Sequence, residues 1–158
     1  MRRLLISVMC MWLMLGLNTY AKEAPPEYLD YIDGVCETYD MDPYIVQSIV
    51  FYESSWCTAA INGPYVGLMQ VSLGHKTKMK ELGVTDLTNG YQNLLIGIDL
   101  LAGYVEEKGS VEKGIDAYAG YKLSDEFYEK GNHTKYSTKV LKLAEELKKA
   151  DALQHTDQ

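Results

Sequence analysis

The chain opens on a nearly unbroken apolar run, Leu4 to Leu17, behind the short basic segment Met1-Arg2-Arg3. Beyond that run, apolar side chains recur at three- and four-residue spacings. Alternation of period two never persists for more than a few residues, so the pattern predicts short helices joined by Gly-rich and polar turns. A first helix is expected over residues 26–39, with Tyr28, Ile32, Val35 and Cys36 on one side. A second begins where Asp42 can cap the free amides and Pro43 suits the first helical position, and it is expected to reach Trp56. Asn62-Gly63-Pro64 breaks the chain, and residues 67–72 read as a shaped loop. A short helix over 76–82 stops at Gly83. The longest apolar helix, 91–107, carries Leu94, Leu95, Ile98, Leu101, Ala102 and Val105 at helical spacings and is expected at the centre of the core. A helix over 111–118, an irregular polar segment over 120–132 and a final amphipathic helix over 136–150, through Val140, Leu143 and Leu147, complete the body. Residues 151–158 are expected to fray as a polar tail. The fold class is mainly α, with one domain over residues 22–150.

The opening segment has the layout of a signal peptide, with cleavage expected after Ala21. Its apolar run is shorter than the roughly 20 residues a spanning helix needs. Met9 is not the small residue that lipid attachment at Cys10 would need. Residues 1–21 are therefore a leader, and the mature chain is expected to be exported, monomeric and free of the membrane. The net charge of −7 becomes more negative when Arg2 and Arg3 leave with the leader. An acidic body without a clustered basic stripe lacks the footprint that phosphate backbones require, which excludes nucleic acid as a partner. Two cysteines remain, Cys36 and Cys57. Export favours a bridge between them, since each lies near the end of a predicted helix and the two helices are neighbours. Two unbridged thiols acting as small apolar residues are the alternative. His75, His133 and His155 lack ligand spacing and lie in polar segments, so they read as surface residues, with no metal or cofactor implied.

One carboxylate stands out. Ile45, Ile49 and Glu53 are spaced by four, so Glu53 shares a stripe with two branched apolar residues, and Val46 and Val50 adjoin it. It also sits in the last turn of its helix, at the negative end of the macrodipole. Both circumstances favour the protonated acid. A carboxyl held in that form can deliver a proton to a glycosidic leaving oxygen. An edge glutamate bound to an amide or a lysine would show the same spacing.

The segments downstream of Glu53 narrow the choice. Glu53-Ser54-Ser55-Trp56, then Gly67-Leu68-Met69-Gln70, then Asn93 with Gly97, then Ala117-Tyr118-Ala119-Gly120 occur in an order that resembles the soluble lytic transglycosylase domain family, whose relatives include goose-type lysozymes. The resemblance spans residues 39–147 and implies a lysozyme-like fold acting on peptidoglycan. By that resemblance Glu53 is the catalytic acid and base and Ser54 follows it in the family pattern. Trp56 stands where an aromatic residue is usual. Met69 and Gln70 line the glycan groove, and Tyr118 is the tyrosine held close to the glutamate. Gln70 can both donate to and accept from a sugar. Met69 can equally serve as core packing, and Tyr118 as a half-buried aromatic. Two departures are visible. Ile61 to Val66 replaces the Ser-x-x-Gly-Ala common among relatives, and Ala119 follows Tyr118 where an asparagine is usual. The implied reaction cleaves the bond between N-acetylmuramic acid and N-acetylglucosamine and closes a 1,6-anhydro ring, without a cofactor. A hydrolytic muramidase and a silent wall-binding module are the alternatives.

Overall fold

The computed structural model describes residues 24–155. The expected leader, residues 1–21, lies outside them. The architecture is mainly α: seven helices and one small sheet among the described residues.

Helix α1, Pro26–Tyr39, buries Ile32 and Cys36 and ends where Asp40 turns left-handed at φ 52°. Helix α2, Pro43–Ser54, starts as its sequence dictates. The Asp42 carboxylate accepts from the Tyr44 amide at 2.9 Å, and Pro43 occupies the first turn. Ile45, Val46, Ser48, Ile49 and Val50 are all buried, so α2 is covered on most of its circumference. It stops two residues before the expected end because Ser55 and Trp56 adopt positive φ, 48° and 63°. That conformation is uncommon for a non-glycine residue and an outlier for a bulky one. The early stop leaves Glu53 at the lip of the helix.

Of the segment read as a shaped loop, residues 67–70 are a turn as expected, and residues 71–72 form the last strand of a three-stranded antiparallel sheet of two-residue strands. They are β1, Ile61–Asn62, β2, Tyr65–Val66, and β3, Val71–Ser72, in the order β1-β2-β3. Asn62 pairs with Tyr65 across the Gly63-Pro64 turn, and Val66 pairs with Val71 across Gly67–Gln70. Helix α3, Lys76–Glu81, matches its expected span to within one residue. Helix α4, Gly90–Lys108, is capped by the Asn89 side chain and contributes Leu94, Ile96, Ile98 and Leu101 to the core with no exposure. It packs against α1 and against α5, Val111–Tyr118.

Two expectations about the C-terminal region change. The irregular segment contains a short helix, α6, Asp125–Glu129. The last helix, α7, covers Lys135–His155, so residues 151–155 are helical and not a frayed tail. A specific anchor accounts for this: the Tyr44 hydroxyl donates to the Asp151 carboxylate at 2.8 Å, holding the end of α7 to the start of α2.

The expected Cys36–Cys57 bridge is not formed. Both thiols are free, Cys36 buried and Cys57 exposed. The reason is geometric. Cys36 lies beside the α1–α2 junction, where its carbonyl accepts from the Met41 amide at 3.0 Å. Cys57 lies past the opposite end of α2, whose 12 residues span about 18 Å. A disulfide needs the two Cα atoms within roughly 7 Å. Burial pushes the Cys36 thiol up to about 12, which leaves it an inert core group.

Candidate active site

A cleft of about 300 Å³ opens where four parts of the fold meet: the end of α2, the small sheet, the end of α5 and the start of α7. Glu53 enters it from α2, half-buried. Its Oε1 accepts a hydrogen bond from the Tyr136 hydroxyl in the first turn of α7. Burial raises the Tyr136 phenol well above its ordinary value, and the charge of Glu53 and the hydrogen bond add to the effect. The phenol therefore stays protonated at neutral pH and remains a donor to the carboxyl.

Tyr118 sits beside this pair without bonding to Glu53. Its hydroxyl donates to the Met69 carbonyl at 2.8 Å. Tyr118 is thus held close to the glutamate, as the resemblance implies, but without a bond to it, because a phenol has one proton and here the loop backbone takes it. Burial again raises this phenol first, with Glu53 the next cause, so the two groups are electrostatic neighbours. The Tyr104 ring meets Tyr118 edge-on at 6.4 Å.

The Gly67–Gln70 loop forms the floor. Asn93, wholly buried on α4, holds it with all of its polar atoms: Oδ1 accepts from the Met69 amide at 2.8 Å, and Nδ2 donates to the Val66 carbonyl at 2.8 Å and the Leu87 carbonyl at 2.9 Å. Gly67, at φ 81°, lies so close that an added Cβ would sit 2.3 Å from both Asn93 Nδ2 and the Leu87 carbonyl oxygen. Gly97 supplies the matching gap on α4, where a Cβ would come within 2.4 Å of the Met69 sulfur. The spacing of Asn93 and Gly97 thus serves the loop.

The sequence-derived site residues take different places. Glu53, Gln70 and Tyr118 are brought together at the cleft. Met69 belongs to the cleft floor, yet its side chain has no exposure, so it contributes core packing and a backbone carbonyl and offers no surface to a ligand. Ser54 does not line the cleft; its hydroxyl donates back to the Val50 carbonyl at 3.1 Å within α2. Gln70 holds a left-handed φ of 50°. Its amide nitrogen donates to the carbonyls of Ala60, 3.2 Å, and Gly67, 3.0 Å. With both donor hydrogens occupied, the Gln70 side-chain oxygen is what remains for a ligand.

Sequence reasoning missed Tyr136, Tyr65 and Tyr121. All three line the cleft, and Tyr65 and Tyr121 are 47% and 45% exposed. One signal for Tyr136 was available: it lies four residues before Val140, so a phenol falls on the buried stripe of the last helix, where its hydroxyl must find a partner. Of the histidines, His133 is exposed and places Nδ1 2.6 Å from Glu112 Oε1, and neither residue lines the cleft. Among the described residues no cluster of three or more His, Cys, Asp or Glu side chains is arranged to hold a metal ion.

The residues that line this cleft, 53–136, fall within a stretch that matches a known family. Residues 30–140, well over half of the chain, match the family model of the transglycosylase SLT domain, and the protein belongs to that lysozyme-like family.

Proposed function

We propose that the protein is a peptidoglycan lytic transglycosylase in which Glu53 serves in turn as acid and base. The observation that carries the reading is the setting of Glu53: it is the one carboxylate lining the cleft among the described residues, and a neutral tyrosine holds one of its two oxygens. A pair of carboxylates would permit hydrolysis by inversion or through a glycosyl-enzyme. A single one must carry both proton transfers. With Tyr136 on Oε1, the Oε2 oxygen is the one presented to the sugar.

In the first step Glu53 protonates the oxygen between N-acetylmuramic acid and N-acetylglucosamine. The C1–O bond breaks, and the muramyl acetamido oxygen of the substrate stabilises the cation at C1. In the second step the Glu53 carboxylate removes the proton from the muramyl 6-hydroxyl, and that oxygen closes on C1. The product is a 1,6-anhydro ring, the glutamate is returned to its acid form, and no water is consumed. The exposed rings of Tyr65 and Tyr121 on the cleft walls offer apolar faces to the sugars, and the Gln70 oxygen accepts from a hydroxyl or acetamido N–H. The signal-peptide layout of residues 1–21 supports an exported setting for this reaction, with cleavage after Ala21.

Purified peptidoglycan digested with the protein is expected to release muropeptides ending in 1,6-anhydromuramic acid, lighter by one water than hydrolytic products. Reducing muramic ends would make the protein a muramidase, and binding without release would make it a silent module. Glu53→Gln keeps the shape and cannot deliver a proton, so release is expected to fall roughly a hundredfold or more while the fold persists. Activity within tenfold of the parent would remove Glu53 from the reaction.

A further inference from the structure

We propose that Lys139 is a positioning residue for the Glu53–Tyr136 pair, acting as a cation shared between two tyrosine rings. The proposal rests on the transglycosylase reading. Lys139 lies three residues after Tyr136 on α7, so the two side chains emerge on neighbouring parts of one helix face. Its ammonium stands 4.1 Å from the ring centroid of Tyr52 and 5.0 Å from that of Tyr136. Both distances are within the range at which a cation is attracted to an aromatic face. Tyr52 immediately precedes Glu53 on α2, and Tyr136 donates its hydroxyl to Glu53. The lysine therefore joins the helix that carries the acid to the ring that orients it.

The joint matters because a hydrogen bond fixes only one end of a phenol. The Tyr136 ring is only half-buried, and any swing about its side-chain torsions would carry the hydroxyl away from Oε1. A cation over the ring, anchored by a second ring on α2, restricts that motion without touching the substrate. Lys139 is exposed, so replacing it leaves no cavity and little is lost from the core. Its effect appears in turnover, through the orientation of Glu53.

The test compares Lys139→Met with Lys139→Arg. Methionine keeps the length of the stem and removes the charge. Arginine keeps the charge and stacks on aromatic rings. With soluble muropeptide release as the assay, Lys139→Met is expected to lower kcat roughly three- to tenfold with KM unchanged, and Lys139→Arg to recover most of that loss. In a Tyr136→Phe background the methionine substitution is expected to cost nothing further, because the bond it protects is already gone. A second readout needs no turnover. In protein labelled with carbon-13 at the tyrosine rings, the Tyr52 and Tyr136 signals are expected to shift together in Lys139→Met and to return in Lys139→Arg. An inactive parent protein would overturn the functional reading itself. An active parent matched by Lys139→Met, losses that add to those of Tyr136→Phe, or unshifted ring signals would each overturn the positioning role alone.

Discussion

Two tyrosines flank Glu53, and their hydroxyls do different work although both side chains are half-buried and both phenols stay neutral at pH 7. Tyr136 donates to the carboxyl, Tyr118 to the backbone of the cleft floor. Removing each oxygen separates the roles. Tyr136→Phe deletes a hydrogen bond to an ionisable group, worth about 1.5–3 kcal/mol, so turnover is expected to fall roughly 10- to 150-fold with little change in substrate affinity. Tyr118→Phe instead leaves the Met69 carbonyl without its partner, which costs about 1–2 kcal/mol of stability. Its signature is a Tm lower by several degrees, measured by circular dichroism, with a smaller loss in turnover than Tyr136→Phe. An unaltered Tm combined with the larger loss of turnover would show that the Tyr118 hydroxyl serves Glu53 during the reaction.

At the scale of elements, the cleft depends on a loop tied to a helix by one side chain. Asn93 satisfies the Met69 amide and the carbonyls of Val66 and Leu87 at once, all within a region closed to water. Asn93→Ala would strand these groups together, and the cost is expected to be about 3 kcal/mol or more. A urea melt with a clearly lower midpoint checks this; a midpoint unchanged from the parent would mean that the loop repacks without the amide. The helices around this loop were legible in the sequence, because caps such as Asp42 with Pro43 and stops such as Gly83 are written locally. Glu53 was visible too, as a carboxylate on the stripe of Ile45 and Ile49. The sheet was not, since strands of two residues are too short for alternation to appear. The bridge failed for a reason of polarity: Cys36 and Cys57 each lie toward the C-terminal end of a helix, and those ends fall at opposite poles of α2. The choice of Tyr136 over Tyr118 as the partner of Glu53 depends on how α7 is seated against α2, which no local pattern encodes.

At the scale of the whole molecule, α7 runs antiparallel to α2 and is fastened to it at both ends by a tyrosine and a carboxylate. At the cleft, Tyr136 of α7 donates to Glu53 of α2. At the far end the roles reverse, and Tyr44 of α2 donates to Asp151 of α7. Lys148 adds an ion pair with Asp42 at 3.4 Å near that second fastening. The active-site contact is therefore one of two pins that seat the C-terminal helix, and both depend on a protonated phenol. The hydrogen bond to Asp151, with burial and the charge of Asp151, pushes the Tyr44 phenol up to about 12. Burial, followed by Glu53, raises Tyr136 as well. Tyrosines of the unfolded chain release their protons near about pH 10, whereas the folded chain retains these protons to higher pH. Their contribution to stability is complete below about pH 10 and is lost progressively as pH rises toward the folded values. The Tm is expected to be level between about pH 7 and 9 and to fall steadily above about 10, with tyrosinate absorbance growing in step with the loss of helix. Tyr44→Phe removes one titrating pin, so the variant is expected to be less stable at about pH 8 and its Tm to decline less steeply above about pH 10. A parent Tm at about pH 11.5 equal to that at about pH 8 would mean that neither phenol holds α7 in place.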